Sequence, residues 1–453
     1  MFALALRSLR HRAGGSIASL LAMFSGALIL MTFGALLDTA GAPGVAASDE
    51  KTLTTLAGVV GGWSLILVTF AVTSTLTLAV RQRAAETALL KNIGATPAQL
   101  ARMIVAEALV LGVTAAALAI VPAVFAGRAL LHRLTGGGQV SPDVAYRFGG
   151  FAIHLGFGVT VAAAVAAAVI AARRTARMGA TESLLDASTG GTGMSRKRRV
   201  AAGVFLFLGA DLAVITATVM RGKEDFEPMA TAGPASIWFS IGLALLAPVL
   251  LRTVTTRIAG PLDRRGAGGH LAGLNLGRRT GPLSTAVMPI ILFTGIATGT
   301  LYMQATDNAV NAARGIVATA DYRSAETTNM IVIAMILLFA AIMVVNTLVA
   351  TTLHRRGEFG RQRLIGATPG QVLGMVAGEA LILAATGVLF GTLASLVTIV
   401  PFSIARSGSP IPDGGVLPYL AVVAIATVLA LASTLITARR TLAAPPVTAV
   451  AAG

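Results

Sequence analysis

Cysteine is absent from the 453 residues, and histidine is limited to five scattered positions. Disulfides, Cys-based zinc or iron–sulfur sites and a histidine metal cluster are thereby excluded. Charge is also scarce, at 12% of residues, against about 25% in soluble domains. Hydrophobic residues make up 55% of the chain, and the mean hydropathy is +0.81. A soluble fold of this composition could not cover its surface with polar groups. Lysine is nearly missing, with four residues, and the single Gly-Lys pair, Gly222-Lys223, is followed by Glu224. A phosphate-cradling G-x-x-x-x-G-K-[ST] loop is therefore lacking. No paired carboxylates, His cluster or nucleophile motif gathers at one depth, which leaves a membrane-embedded enzyme the least favoured class.

Long apolar runs dominate instead. A bilayer-crossing helix needs about 20 predominantly apolar residues. Ten stretches qualify, near 16–37, 52–80, 101–127, 148–172, 200–220, 229–251, 280–306, 327–353, 372–405 and 414–438. Three carry one acid each: Glu107, Asp211 and Glu379. The first run follows Arg7, Arg10 and Arg12 and competes with a signal-peptide reading. Its length of about 22 residues exceeds a signal h-region, so an uncleaved first span is expected.

The formal charge of +16 would suggest nucleic acid in a soluble protein. Sorted by side, 26 of the 35 Lys and Arg fall with five acids on the face that carries both termini. The opposite face and its span ends hold nine bases and eleven acids. The positive-inside rule makes the basic face cytoplasmic. The charge needs no nucleic-acid partner, and part of it faces anionic lipid heads. The expected location is a bacterial cytoplasmic membrane, multi-pass, with both termini inside.

An internal repeat is the most informative feature. Residues 83–111 (RAAETALLKNIGATPAQLARMIVAEALVL) align with 355–383 (RRGEFGRQRLIGATPGQVLGMVAGEALIL), identical at thirteen of 29 positions. The matches include Arg83/Arg355, Glu86/Glu358, Ile93–Pro97/Ile365–Pro369, Gln99/Gln371 and Glu107/Glu379. Matched Ala and Leu are cheap in such a composition; matched Arg, Glu, Pro and Gln are not. Each copy lies between the second and third span of a four-span set, and two extra spans separate the sets. The expected fold is all-α and polytopic, with two four-helix repeats joined by two linker helices. The segments are 1–180, 181–262 and 263–453. An even number of linker spans makes the repeat parallel, which counts against inverted-repeat carriers.

Local signals in the repeat agree with one another. Gly94 and Gly366 suit the left-handed residue that closes a helix. Thr96-Pro97 with Gln99, and Thr368-Pro369 with Gln371, read as capping boxes with a pre-set proline. Each half is expected to present a helix continuing from the second span, a tight turn at Gly94-Ala95 or Gly366-Ala367, and a helix returning to the bilayer. Arg83 with Glu86, and Arg355 with Glu358, fall on one helical face at spacing i,i+3. A plain hairpin needs no particular charges there; a docking surface does.

The string R-x-x-E-x-x-x-x-x-x-I-G-A-T-P-x-Q, followed by an apolar helix with Glu-Ala-Leu, resembles the core of the FtsX-like permease domain. That domain belongs to the MacB/FtsX-type, or type VII, ABC transporter superfamily, and ten spans with two such domains are similar to Bce-type permeases. The resemblance implies a permease subunit without an ATPase site of its own. ATP and Mg would be bound by a partner ATPase, two copies per permease chain. It also implies that Arg83, Glu86, Gly94, Ala95, Thr96 and Pro97, with Arg355, Glu358, Gly366, Ala367, Thr368 and Pro369, form the coupling elements. The substrate it suggests is a lipid, lipoprotein or peptide, exported or worked on mechanically. Unlike many relatives, this chain has short loops after the first span of each set, too small for an extracytoplasmic domain.

Intramembrane acids are costly and functional by default. Glu107 and Glu379 sit at symmetric positions, which favours a structural or force-transmitting role with basic neighbours such as Arg83, Arg102 or Arg355. Asp211 has no repeat partner; protonation, a satisfied interhelical hydrogen bond, an Arg partner and a polar cavity are its readings. Gly58/Gly62 and Gly374/Gly378 have small-xxx-small spacing. Two rival functions stay open: an ion- or proton-coupled carrier using Glu107, Asp211 and Glu379, and a membrane sensor signalling with an ATPase and a sensor kinase.

Overall fold

The computed structural model describes residues 13–82, 89–90, 92–177, 194–223, 227–263, 280–315 and 320–447. Among these residues the chain forms eleven helices and no strand. In order they are α1 (Ala13–Ala40), α2 (Ala47–Gln82), α3 (Pro97–Gly136), α4 (Gly150–Arg177), α5 (Arg196–Thr218), α6 (Glu227–Asp263), α7 (Thr280–Ala313), α8 (Ala320–Leu353), α9 (Arg356–Leu364), α10 (Pro369–Ser407) and α11 (Leu417–Leu442). All but the nine-residue α9 are long and apolar enough to cross a bilayer. The ten expected spans are therefore present.

The returning helices are longer than expected. α3 has 40 residues and α10 has 39. At about 1.5 Å per residue each spans roughly 60 Å, twice a hydrocarbon core of about 30 Å, so both continue beyond the apolar layer. Only residues 41–46 separate α1 from α2, and only residues 314–319 separate α7 from α8.

The chain divides into two compact units, one of residues 1–187 with 308–339, the other of 188–307 with 340–453. In the first, α1 is the central helix. Its Ala27 and Met31 pack on Ala116, Ala119 and Ala123 of α3. Small residues set how near the backbones come. A Cβ at Gly34 would stand 2.8 Å from the Ala152 Cα, and one at Gly26 would stand 2.5 Å from Val68. Close packing of this kind replaces the hydrophobic drive that lipid removes. Near the C-terminal end of α1, Asp38 accepts N–H bonds from Gly149 (3.0 Å), Phe151 (3.2 Å) and Ala152 (2.8 Å). It thereby satisfies orphan donors at the start of α4.

In the second unit α7 is the most enclosed span. Gly387 and Gly391 of α10 lie against Ile290 and Thr294 of α7, with no room for a Cβ. α6 joins through Thr398, which accepts the Ser236 N–H at 3.0 Å and donates to the Ala232 carbonyl at 2.5 Å. Both linker helices, α5 and α6, pack on α10. Near the C-terminal end of α10, Arg406 Nε and Nη2 donate to Asp307 at 2.9 and 2.5 Å. The expected small-xxx-small contacts fall elsewhere: Gly58, Gly62 and Gly374 have open space at their Cβ positions.

Candidate functional site: two capped hairpins

The two hairpin turns have one geometry. In the first, the Ile93 N–H bonds to the Leu89 carbonyl and the Ala95 N–H reaches back five residues to Leu90 at 2.9 Å. In the second, the Ala367 N–H reaches Gln362 at 3.0 Å. These long-reach bonds satisfy the last carbonyls of a helix and require a left-handed residue before them. Gly94 (φ +96°) and Gly366 (φ +101°) supply it. Thr96 and Thr368 then turn extended, with ψ 151° and 153°. Each accepts the N–H of Gln99 or Gln371 at 3.3 Å, and each Gln Oε1 accepts the Thr N–H at 2.9 Å. Pro97 and Pro369 open the new helices. The caps, turn glycines and prolines thus stand where the sequence reading puts them.

The helix before the second turn differs from expectation. It does not continue from α8; the chain turns at His354–Arg355 and restarts as α9. The break lets α9 lie against α10 and α11. Phe359, fully buried, packs with Val372, Met375 and Val376 of α10 and Ala438 and Leu442 of α11. Arg363 Nη1 donates to the carbonyls of Leu442 (2.8 Å) and Ala444 (3.0 Å), capping the end of α11. A cation beside these carbonyls also complements the helix dipole.

Arg355 sits at the joint. Its Nε donates to Glu358 at 3.1 Å, its Nη2 to Glu379 Oε1 at 3.2 Å, and its Nη1 to Glu379 Oε2. The guanidinium also stands 5.2 Å from the Phe359 ring centroid. Side-chain exposure is 13% for Arg355, 13% for Glu358 and 2% for Glu379. Burial works to lower the Arg355 pKa. The charges and hydrogen bonds of Glu379 and Glu358 outweigh it and hold the group above its ordinary value. A cavity of about 20 Å³ beside the cluster, lined by Thr351, Thr352, Arg355, Glu379 and Thr434, has room for one water.

This placement corrects the reading of Arg355 and Glu358 as outward charges. Their shared face points into the protein, because Glu379 on the returning helix takes the bidentate pair. Glu379 has the basic partner that its symmetric position suggested. In the first half, Glu107 is likewise buried, at 5% exposure, while Arg83 and Glu86 lie outside the described residues. Asp211 belongs to neither hairpin. It is exposed on α5 and makes no hydrogen bond or ion pair among the described residues.

Beside exposed polar residues such as Asn92, Thr96, Arg361 and Thr368, apolar side chains also face outward at both turns. Leu89 and Ile93 are 64% and 75% exposed, and Leu364 and Ile365 are 55% and 86% exposed. Charge-based reasoning passed over them. The signal was present, since Ile93 and Ile365 open the identical pentapeptide. Among the described residues no group of three His, Asp or Glu could hold a metal.

Comparison with known proteins agrees with this arrangement. The family model of the FtsX-like permease C-terminal domain matches residues 58–180 and 330–446. Each match runs from a second span through a hairpin to the end of a fourth. No curated protein matches the chain. With more than half of its length matched in two regions, each holding one capped hairpin, this multi-pass membrane protein belongs to the FtsX-like permease family and carries that domain twice.

Proposed function

We propose that the chain is the permease subunit of an ABC transporter, driven by a separate ATPase that docks on the two hairpins. The observation that carries this is the duplicated turn: the same caps, the same left-handed glycine and the same exposed isoleucine in both matched regions. A surface built twice to one geometry suits a partner that presents two equivalent sites, as a dimer of ATPase subunits does. ATP and Mg belong to that partner. The basic end then faces the cytoplasm, with both termini there, in a bacterial cytoplasmic membrane.

The contacts at the second hairpin supply a transmission route. Leu364 and Ile365 form the docking tip. Arg355 ties α9 to Glu379 inside α10, Phe359 wedges between α10 and α11, and Arg363 grips the end of α11. Movement of the tip on ATP binding would therefore displace two spans together. The output is export of, or mechanical work on, a lipid, lipoprotein or peptide at the membrane. A carrier mechanism loses support at Glu379, whose carboxylate is committed to Arg355.

The test is co-purification of the full chain with an ABC ATPase subunit. Ile93→Asp with Ile365→Asp places a charge at each tip without touching the buried pairs. ATPase binding should fall by more than tenfold while the melting temperature holds. Undiminished binding would remove the hairpins from the docking role.

A further inference from the structure

Helix α5 lies outside both family-matched regions, and what its outer face does is independent of the ATPase reading. One side is firmly seated. Ala202, Gly209, Ala213 and Thr216 are buried. Gly209 leaves no room for a Cβ against the Phe239 backbone, and Phe205 stacks on Trp238 at 5.3 Å. Arg198 Nε donates to the Leu245 carbonyl at 2.8 Å. The other side is bare, and α5 is the least covered of the ten spans. Val200, Val204, Phe207 and Val214 are 59, 51, 69 and 61% exposed. Gly203 and Ala210 lie among them, also exposed, and nothing stands within 4 Å of a Cβ at Gly203.

Asp211 sits on this face. It is seven residues before the helix end at Thr218, about 10 Å along the axis. A carboxylate side chain is too short to reach water over that distance, and hydrocarbon offers it no donor. Between Arg199 and Arg221 the segment has no basic residue. An apolar face with small residues at Gly203 and Ala210 and one buried-depth acid fits a helix that brings a cation. A second copy fits poorly, because a two-fold contact through this face opposes Asp211 to Asp211.

We propose that the outer face of α5 docks a transmembrane helix of a different membrane protein, one that carries a Lys or Arg facing Asp211. Gly203 and Ala210 let the helices approach closely, Phe207 and Val214 pack against the incoming side chains, and Asp211 selects the partner by charge.

The test uses the full chain in phosphatidylcholine–phosphatidylglycerol vesicles. The sequence has no cysteine, so Thr218→Cys gives a unique labelling site. The probe is a single-span Leu/Ala peptide of about 20 residues with one Lys at the depth of Asp211; its control has Leu there. Energy transfer should show the Lys peptide bound about tenfold more tightly than the control. Asp211→Leu should abolish the preference and Asp211→Glu should keep it. Gly203→Leu, which leaves the acid intact, should weaken the Lys peptide by about the same factor. Equal binding of the two peptides, or a preference that survives Asp211→Leu, would overturn the proposal. So would efficient disulfide pairing of two chains through Phe207→Cys, which would give the face to a second copy.

Discussion

Arg355 shows how much depends on the company a charge keeps. It is bonded to two carboxylates and lies over an aromatic ring, and Glu379 beneath it is almost fully enclosed. Removing one member of such a pair strands the other charge, at a cost of about 3–5 kcal/mol. Arg355→Ala should therefore lower thermal stability in detergent sharply. Arg355→Met combined with Glu379→Leu should recover much of the loss, because it removes the enclosed pair and leaves only the charge of the more exposed Glu358. Glu358→Gln should cost little, since the amide still accepts from Arg355. Equal melting temperatures for Arg355→Ala and wild type would show that the bidentate pair does not form.

The hairpins illustrate local encoding. Each turn needs one residue at positive φ and one hydroxyl to cap the helix that follows. Thr368→Ala removes a cap worth about 1 kcal/mol, and Gly366→Ala forces a Cβ into the left-handed region at about 1–2 kcal/mol. Both changes should accelerate amide exchange at residues 364–372 and leave the rest of the second unit protected. Exchange that rises across α10 as a whole would mean that the cap holds more than the turn. α9 adds a second lesson. It is too short to be stable alone in water, and Phe359, Arg355 and Arg363 hold it through α10 and α11. Leu364 and Ile365 thus lie at the end of a helix fixed to two spans, which suits a lever.

For the molecule as a whole, the duplication predicts stoichiometry. Native mass spectrometry of the solubilised complex should show one chain with two ATPase subunits. Ile365→Asp alone should weaken docking on one side, and Ile93→Asp alone on the other, with the double change most severe. A complex with a single ATPase, insensitive to Ile93→Asp, would restrict docking to the second hairpin. The short loops after α1 and α7 bear on output. With only six residues separating the helices in each case, the proposed function would leave work on a substrate to the spans and to the segments held by Asp38 and by Asp307 with Arg406.

The ten spans, the duplication and the turn chemistry were legible in the chain itself. Apolar run length, basic flanks, Gly94 and Gly366, and Thr-Pro-x-Gln act within a few residues of where they sit, so linear order carries them. The direction of the Arg355–Glu358 face was not legible. An i,i+3 spacing states that two side chains share a face, never which way that face turns. The answer came from Glu379, 24 residues away, and depended on the break at His354–Arg355 that folds α9 back along α10. Asp307 and Arg406 meet across 99 residues for the same reason: helix packing, not sequence proximity, brings them together. Asp211 was visible as a costly acid in a span. Its position on the bare side of α5 emerged once Gly209 and Phe205 were seen seating the opposite side against α6.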